Sequence, residues 1–68
     1  MIIILNGEDK QVDSRTNIEQ LLNIIGLSDK KLAVEVNEHI VPRSEFSETT
    51  LKDSDKVEIV QAIGGGSD

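Results

Sequence analysis

A single amphipathic stretch stands between two strand–turn–strand runs, and that order restricts the architecture more than any other feature of this chain. Ile18, Leu21, Leu22 and Ile25 recur at i, i+3, i+4 and i+7, one apolar stripe on a helix spanning about Asn17 to Ile25. Thr16 and Glu19 form a capping box at its start, each side chain able to satisfy an orphan backbone N–H. Gly26 supplies the left-handed residue that ends it, and Leu27 can fold back on the last turn.

Before the helix, Ile2 to Leu5 is a continuous apolar run, the pattern of a strand with apolar neighbours on both faces. Asn6-Gly7 is a strong two-residue hairpin signal, and Lys10 to Asp13 is expected as the return strand. After the helix, Leu32, Val34 and Val36 alternate with Ala33, Glu35 and Asn37, as a strand with one buried face requires. Asn37-Glu38 is a turn, and His39 to Val41 is a short strand stopped by Pro42. Arg43 to Thr50 reads as an irregular or single-turn helical connection in which Phe46 plugs the core, Asp53-Ser54-Asp55 as a turn, and Val57 to Ile63 as the last strand. A helix between two such pairs must lie across one face of a single mixed sheet, with the first and last strands parallel at its centre. The expected class is α+β, a β-grasp sheet of four to five strands with one helix packed on it.

With 68 residues, the chain makes one small domain, which buries only about 60% of the surface its unfolded form exposes. An enclosed ligand cavity would consume most of that core, which argues against a self-contained enzyme. Thirteen acidic against seven basic residues give a net charge of −6, repelling nucleic acid and anionic membrane and favouring a basic partner groove. Phe46 is the only aromatic residue, too few for a base-stacking platform. The absence of cysteine removes disulfides, thiolate metal sites and thiol catalysis together. The opening MIIILNGEDK has no basic region and too short an apolar run for a signal or membrane segment, so a cytoplasmic protein is expected.

Other residues offer little chemistry. His39 stands alone, without carboxylates at ligand spacing, and is expected as a strand-edge surface residue. Ser44, Ser47 and Ser54 sit in turn or capping contexts with no basic partner. Asp53 and Asp55 lack the remaining ligands of a calcium loop, and Gly64 to Gly66 have no helix or lysine after them to make a phosphate loop. The informative features are elsewhere. Val57, Ile59 and Ile63 should face the helix, leaving Val60 and Ala62 apolar on the uncovered face. Strand one adds either Ile2 and Ile4 or Ile3 and Leu5, and Ile2 and Ile4 are assigned to that face. Such neighbours on an open sheet suggest a partner surface. Residues 64–68, beyond a domain of residues 1–63, form a glycine tail that is expensive to order.

The run AVEVNEHIVPRSEFSETTLKDSDKVEIVQAIGGG, Ala33 to Gly66, resembles the sulfur carrier proteins of thiamine biosynthesis, the ThiS family of the ubiquitin-like superfamily. The TNIEQLLNIIGL helix and Asn-Gly turn fit the same pattern more loosely. The resemblance implies a carrier, not an enzyme, with no stably bound cofactor. Its terminal carboxylate is adenylated by an ATP-dependent, ThiF-like enzyme and then converted to a thiocarboxylate. A sulfurtransferase supplies the sulfur, and a ThiG-like thiazole synthase receives it. On this reading Gly66 carries first AMP and then sulfur, Gly64 and Gly65 thread the partner's channel, and Val60, Ala62, Ile2 and Ile4 dock. The free protein is expected to be a monomer.

Two departures from the family pattern stand out. Ser54 occupies a turn position where the family usually has glycine; if positive φ is needed there, the cost is of order 1–2 kcal/mol. Ser67 and Asp68 follow the glycines at which the family ends, so Gly66 is expected to need release from Ser67 before activation. The alternatives are a molybdopterin-type sulfur carrier, and a non-catalytic ubiquitin-like interaction module in which the glycines are a linker.

Overall fold

Asn6 and Gly7 both adopt positive φ, 49° and 85°, the conformation a two-residue hairpin turn needs to match the twist of its strands. In the computed structural model, which describes residues 1–61, this turn joins β1 (Ile2–Leu5) to β2 (Glu8–Gln11). Pairing runs from Ile2 with Gln11 to Leu5 with Glu8, leaving only the two turn residues unpaired. The return strand thus begins two residues before the expected Lys10. A two-residue turn forces pairing to resume at residue 8, and a strand at the sheet margin can keep charged side chains in water. Val12 lies just past the strand, buried, with its N–H donating to the Met1 carbonyl at 2.9 Å.

The helix α1 (Ile18–Ile24) starts one residue later than the Thr16–Glu19 box implies. Asn17 is its cap: Asn17 Oδ1 accepts from the Gln20 N–H at 2.7 Å, and Gln20 Oε1 accepts from the Asn17 N–H at 3.0 Å. Two overlapping boxes exist in the sequence, and tertiary pairing selects between them. The Leu51 N–H donates to the Thr16 carbonyl at 2.8 Å and the Ile18 N–H to the Thr49 carbonyl at 3.1 Å, which holds residues 16–18 extended against 49–51. Thr16 is consequently buried, with its hydroxyl donating to the Asp13 carbonyl at 2.6 Å. At the other end Gly26 takes φ 78°, and the Leu27 N–H reaches back to the Leu22 carbonyl at 2.8 Å, closing the last turn.

Strands β3 (Leu32–Val36) and β4 (His39–Val41) occupy the expected residues and are joined by Asn37 and Glu38, both at positive φ. A 3₁₀ segment, Arg43–Glu48, then buries Phe46, as expected of a core plug. Arg43 fastens it from outside: its guanidinium lies 5.6 Å from the Phe46 ring centroid and donates to the Lys30 carbonyl at 2.7 Å. The last strand, β5 (Lys56–Gln61), completes a sheet of order β2-β1-β5-β3-β4. Residues 62 and 63 of the expected strand lie outside the described residues.

β5 runs parallel to β1, with Leu5 opposite Val57, and antiparallel to β3, from Leu32 opposite Gln61 to Val36 opposite Val57. This is the β-grasp arrangement, with α1 across one face. Ile3, Ile18, Leu21, Val34 and Val57 are wholly buried between helix and sheet, and Leu22, Leu51 and Ile59 close the core around them. Among the described residues, no helix is long and apolar enough to cross a membrane.

The turn before β5 settles the question of Ser54, whose φ is 72°. Its N–H donates to the Ile2 carbonyl at 2.7 Å, while Asp53 Oδ1 accepts from the Ile2 N–H at 2.8 Å, so the turn is fixed against β1. Ser54→Gly removes the steric cost of that φ and should raise stability by about 0.5–1 kcal/mol; an unchanged urea midpoint would contradict this. Leu22→Asp places a carboxylate in the closed helix–sheet interface and should cost about 3–5 kcal/mol, measured as loss of the cooperative thermal transition.

Candidate functional site

Strand parity divides the sheet cleanly. Val57 and Ile59 point to the helix and are buried, while Lys56, Glu58 and Val60 point away and are exposed. On β1, Ile3 is buried beneath the helix, which leaves Ile2 and Ile4 on the open face. Of the two options for strand one, the structure takes that one. Ile2 is 46% exposed and Val60 63% exposed, large apolar surfaces with no second layer over them among the described residues.

These residues do not form one patch. Ile4 is the neighbour of Lys56 in the parallel ladder, whereas Val60 stands four residues further along β5, roughly 13 Å away at the usual strand rise. Glu58 lies between them. Ile2 and Ile4 instead face the polar β2, opposite Gln11 and Asp9. Val60 belongs to a different group: it is opposite Ala33 on β3. Two strands over, Ile40 on β4 is 72% exposed on the same face, opposite Glu35. Sequence reading left Ile40 without a face. The signal was present, because the two-residue Asn37-Glu38 turn makes Ile40 the partner of Glu35 and hence outward.

Charge is uneven on this surface. Glu35 and Glu58 are direct cross-strand partners, so two like charges sit side by side between Ile40 and Val60. Such a pairing destabilises a sheet by some tenths of a kcal/mol. The apolar end of β5 is therefore flanked by negative potential, which suits a basic partner.

β5 also receives support from a residue that the sequence presents only as a turn former. Asn6 Oδ1 accepts from the Ile59 N–H at 2.8 Å, and Asn6 Nδ2 donates to the Ile59 carbonyl at 3.4 Å. Nothing in an Asn-Gly pair announces this second contact, because it depends on which strand lies beside the turn.

Ala62, Gly64, Gly65 and Gly66, with Ser67 and Asp68, lie outside the described residues; their roles stand on the sequence alone. His39 is exposed on β4, as expected, and among the described residues no three His, Cys, Asp or Glu side chains are grouped to hold a metal. A concavity of about 410 Å³ is an open cleft before α1 lined by Asp13, Ser14, Arg15, Thr16, Gln20 and Ile24. It contains no nucleophile beside a base.

A five-stranded β-grasp sheet with one helix across one face defines a small ubiquitin-like domain. The chain belongs to the ThiS family, sulfur carriers of thiamine biosynthesis, whose model matches residues 3–66. It is 38% identical to the sulfur carrier protein ThiS of Bacillus subtilis over 91% of this chain and 96% of that one. It is also 43% identical over its whole length to a thiazole synthase of Paramagnetospirillum magneticum, of which it spans only 21%. The crystal structure of the thiamine biosynthesis protein ThiS from Geobacter metallireducens superposes with a TM-score of 0.84 at 33% identity, covering 97% of this chain and 100% of that one. The expected β-grasp fold is thus shared with a solved ThiS structure.

Proposed function

We propose that this chain carries sulfur as a thiocarboxylate on Gly66, formed through an acyl-adenylate, and delivers it for thiazole formation. The observation that carries the reading is the family match itself, which extends to residue 66 and so includes all three glycines beyond β5. A carboxylate is a poor electrophile. Joining it to AMP, with loss of pyrophosphate from ATP, creates a leaving group that a sulfur nucleophile can displace. Glycine suits the acceptor position because a residue without a Cβ passes a narrow channel and leaves its carbonyl open to attack. The carrier contributes no acid or base; a ThiF-like adenylating enzyme activates it, and a sulfurtransferase supplies the sulfur. That a 43% identical relative is a thiazole synthase supports a ThiG-like synthase as the acceptor. The setting for this exchange is the cytoplasm, and residues 64–68 act as an arm on the domain.

Within this reading, Val60 with its cross-strand neighbour Ala33 is the docking surface nearest the arm, Ala62 continues it, Ile40 stands two strands over beyond Glu35 and Glu58, and Ile2 with Ile4 forms a separate contact about one strand length away. Val60→Arg should leave the melting temperature nearly unchanged and weaken binding to the adenylating enzyme by about 1–3 kcal/mol; undiminished binding in a titration would remove Val60 from the interface.

The Gly66 carboxyl is joined to Ser67 by a peptide bond in the 68-residue sequence. An acceptor two residues further on would overshoot by up to about 7 Å when extended, and even about 1 Å of misplacement can cost a hundredfold in rate. ATP–pyrophosphate exchange with the adenylating enzyme should therefore be brisk for a chain ending at Gly66 and at least about a hundredfold slower for one ending at Asp68. Equal rates, with AMP recovered on Asp68, would overturn the assignment.

A further inference from the structure

Along the flank of β5 that faces β1, the carbonyls of Asp55 and Val57 accept from the N–H groups of Ile4 at 2.9 Å and Asn6 at 2.8 Å. The next rung of a regular parallel ladder would set the Ile59 N–H on the Asn6 backbone carbonyl and the Ile59 carbonyl on the N–H of residue 8. β1 cannot provide it, because the chain reverses at Asn6 and Gly7. The Asn6 carboxamide stands in that place, binding both the N–H and the carbonyl of Ile59. A primary amide offers the same donor and acceptor as a peptide group. It lengthens the β1 ladder by one rung, so that β5 is held on both flanks up to Ile59 rather than on the β3 side alone.

Ile59 is seven residues before Gly66. We propose that Asn6 is a positioning residue for the acceptor: its carboxamide clamps β5 at Ile59 and so fixes the direction of the strand that leads to Gly66. The proposal rests on the reading that Gly66 is the adenylated residue. β3 pairs with β5 as far as Gln61, and the five residues from there to Gly66 span up to about 17 Å when extended in a partner's channel, so a strand tilt of about 3–4° displaces the far end by about 1 Å. A displacement of that size can cost on the order of a hundredfold in rate while the docking contacts persist. Asn6 therefore acts on the turnover of the docked carrier and leaves its affinity alone.

The test uses chains ending at Gly66, which contain every residue of the fold, with Asn6→Gly and Asn6→Asp. Glycine keeps the positive φ of the turn and removes the clamp; aspartate keeps the acceptor for the Ile59 N–H. Asn6→Gly should raise amide hydrogen exchange at Ile59 at least about tenfold with Leu21 unchanged, and lower kcat for ATP–pyrophosphate exchange about tenfold with KM within twofold. Asn6→Asp should stay within about threefold of the parent chain in kcat, since the 2.8 Å bond survives. Unchanged kcat in Asn6→Gly, a loss expressed in KM, or an Asn6→Asp chain as slow as Asn6→Gly would overturn the proposal. No exchange from the parent chain would instead refute the adenylation reading and take the proposal with it, whereas an active parent with an indifferent Asn6→Gly refutes the proposal alone.

Discussion

The parallel pairing of β1 with β5 is the constraint on which the rest of this structure depends. It joins the beginning of the chain to its end, so neither hairpin can bury an apolar face until the sheet closes at its centre. Once Leu5 and Val57 are neighbours, Ile3 and Val57 present one continuous surface for α1. The turn at Asp53 and Ser54 is part of the same closure, since both bond to the backbone of Ile2. Closing so long a loop carries an entropic cost that increases only slowly with length. Helix burial offsets it, which makes docking of α1 and central strand pairing one cooperative event.

That arrangement also separates structural from functional demands on a single strand. Alternate residues of β5 belong to different worlds: Val57 and Ile59 hold the fold, and Glu58 and Val60 are left to meet whatever approaches. A substitution at Val60 therefore changes the open face without touching the core. The strand that leads to the glycines is paired on both flanks, by β1 and by β3.

Much of this was legible in the sequence where local chemistry and tertiary context agree. β1, β3 and β4 lie on the expected residues because β-branched runs, alternation and the Asn-Gly and Asn-Glu turns all favour the same answer. The helix cap moved by one residue because TNIEQ holds two overlapping boxes, and only the pairing of Thr16 with Leu51 decides between them. β2 was misplaced because its residues carry almost no strand propensity; its position follows from the turn and its partner. For the candidate site, parity sufficed to send Ile2, Ile4 and Val60 outward. Parity says nothing of how far apart strands place their residues, and the stagger of β1 against β5 separated them. The contact from Asn6 to Ile59 was invisible for a related reason, since a side chain replacing a ladder rung leaves no periodic trace.

The two margins of the sheet have a consequence for the life of such a molecule in a crowded solution. β2 offers Glu8, Asp9 and Lys10 along its free flank, and β4 is three residues long and halted by Pro42. Open strand edges are templates for pairing with another chain, and charge, brevity and proline each blunt that tendency. A domain whose uncovered face already shows Ile2, Ile40 and Val60 to solvent would otherwise join copy to copy through edge and face together. With both edges blunted, those apolar side chains are less able to seed pairing between copies.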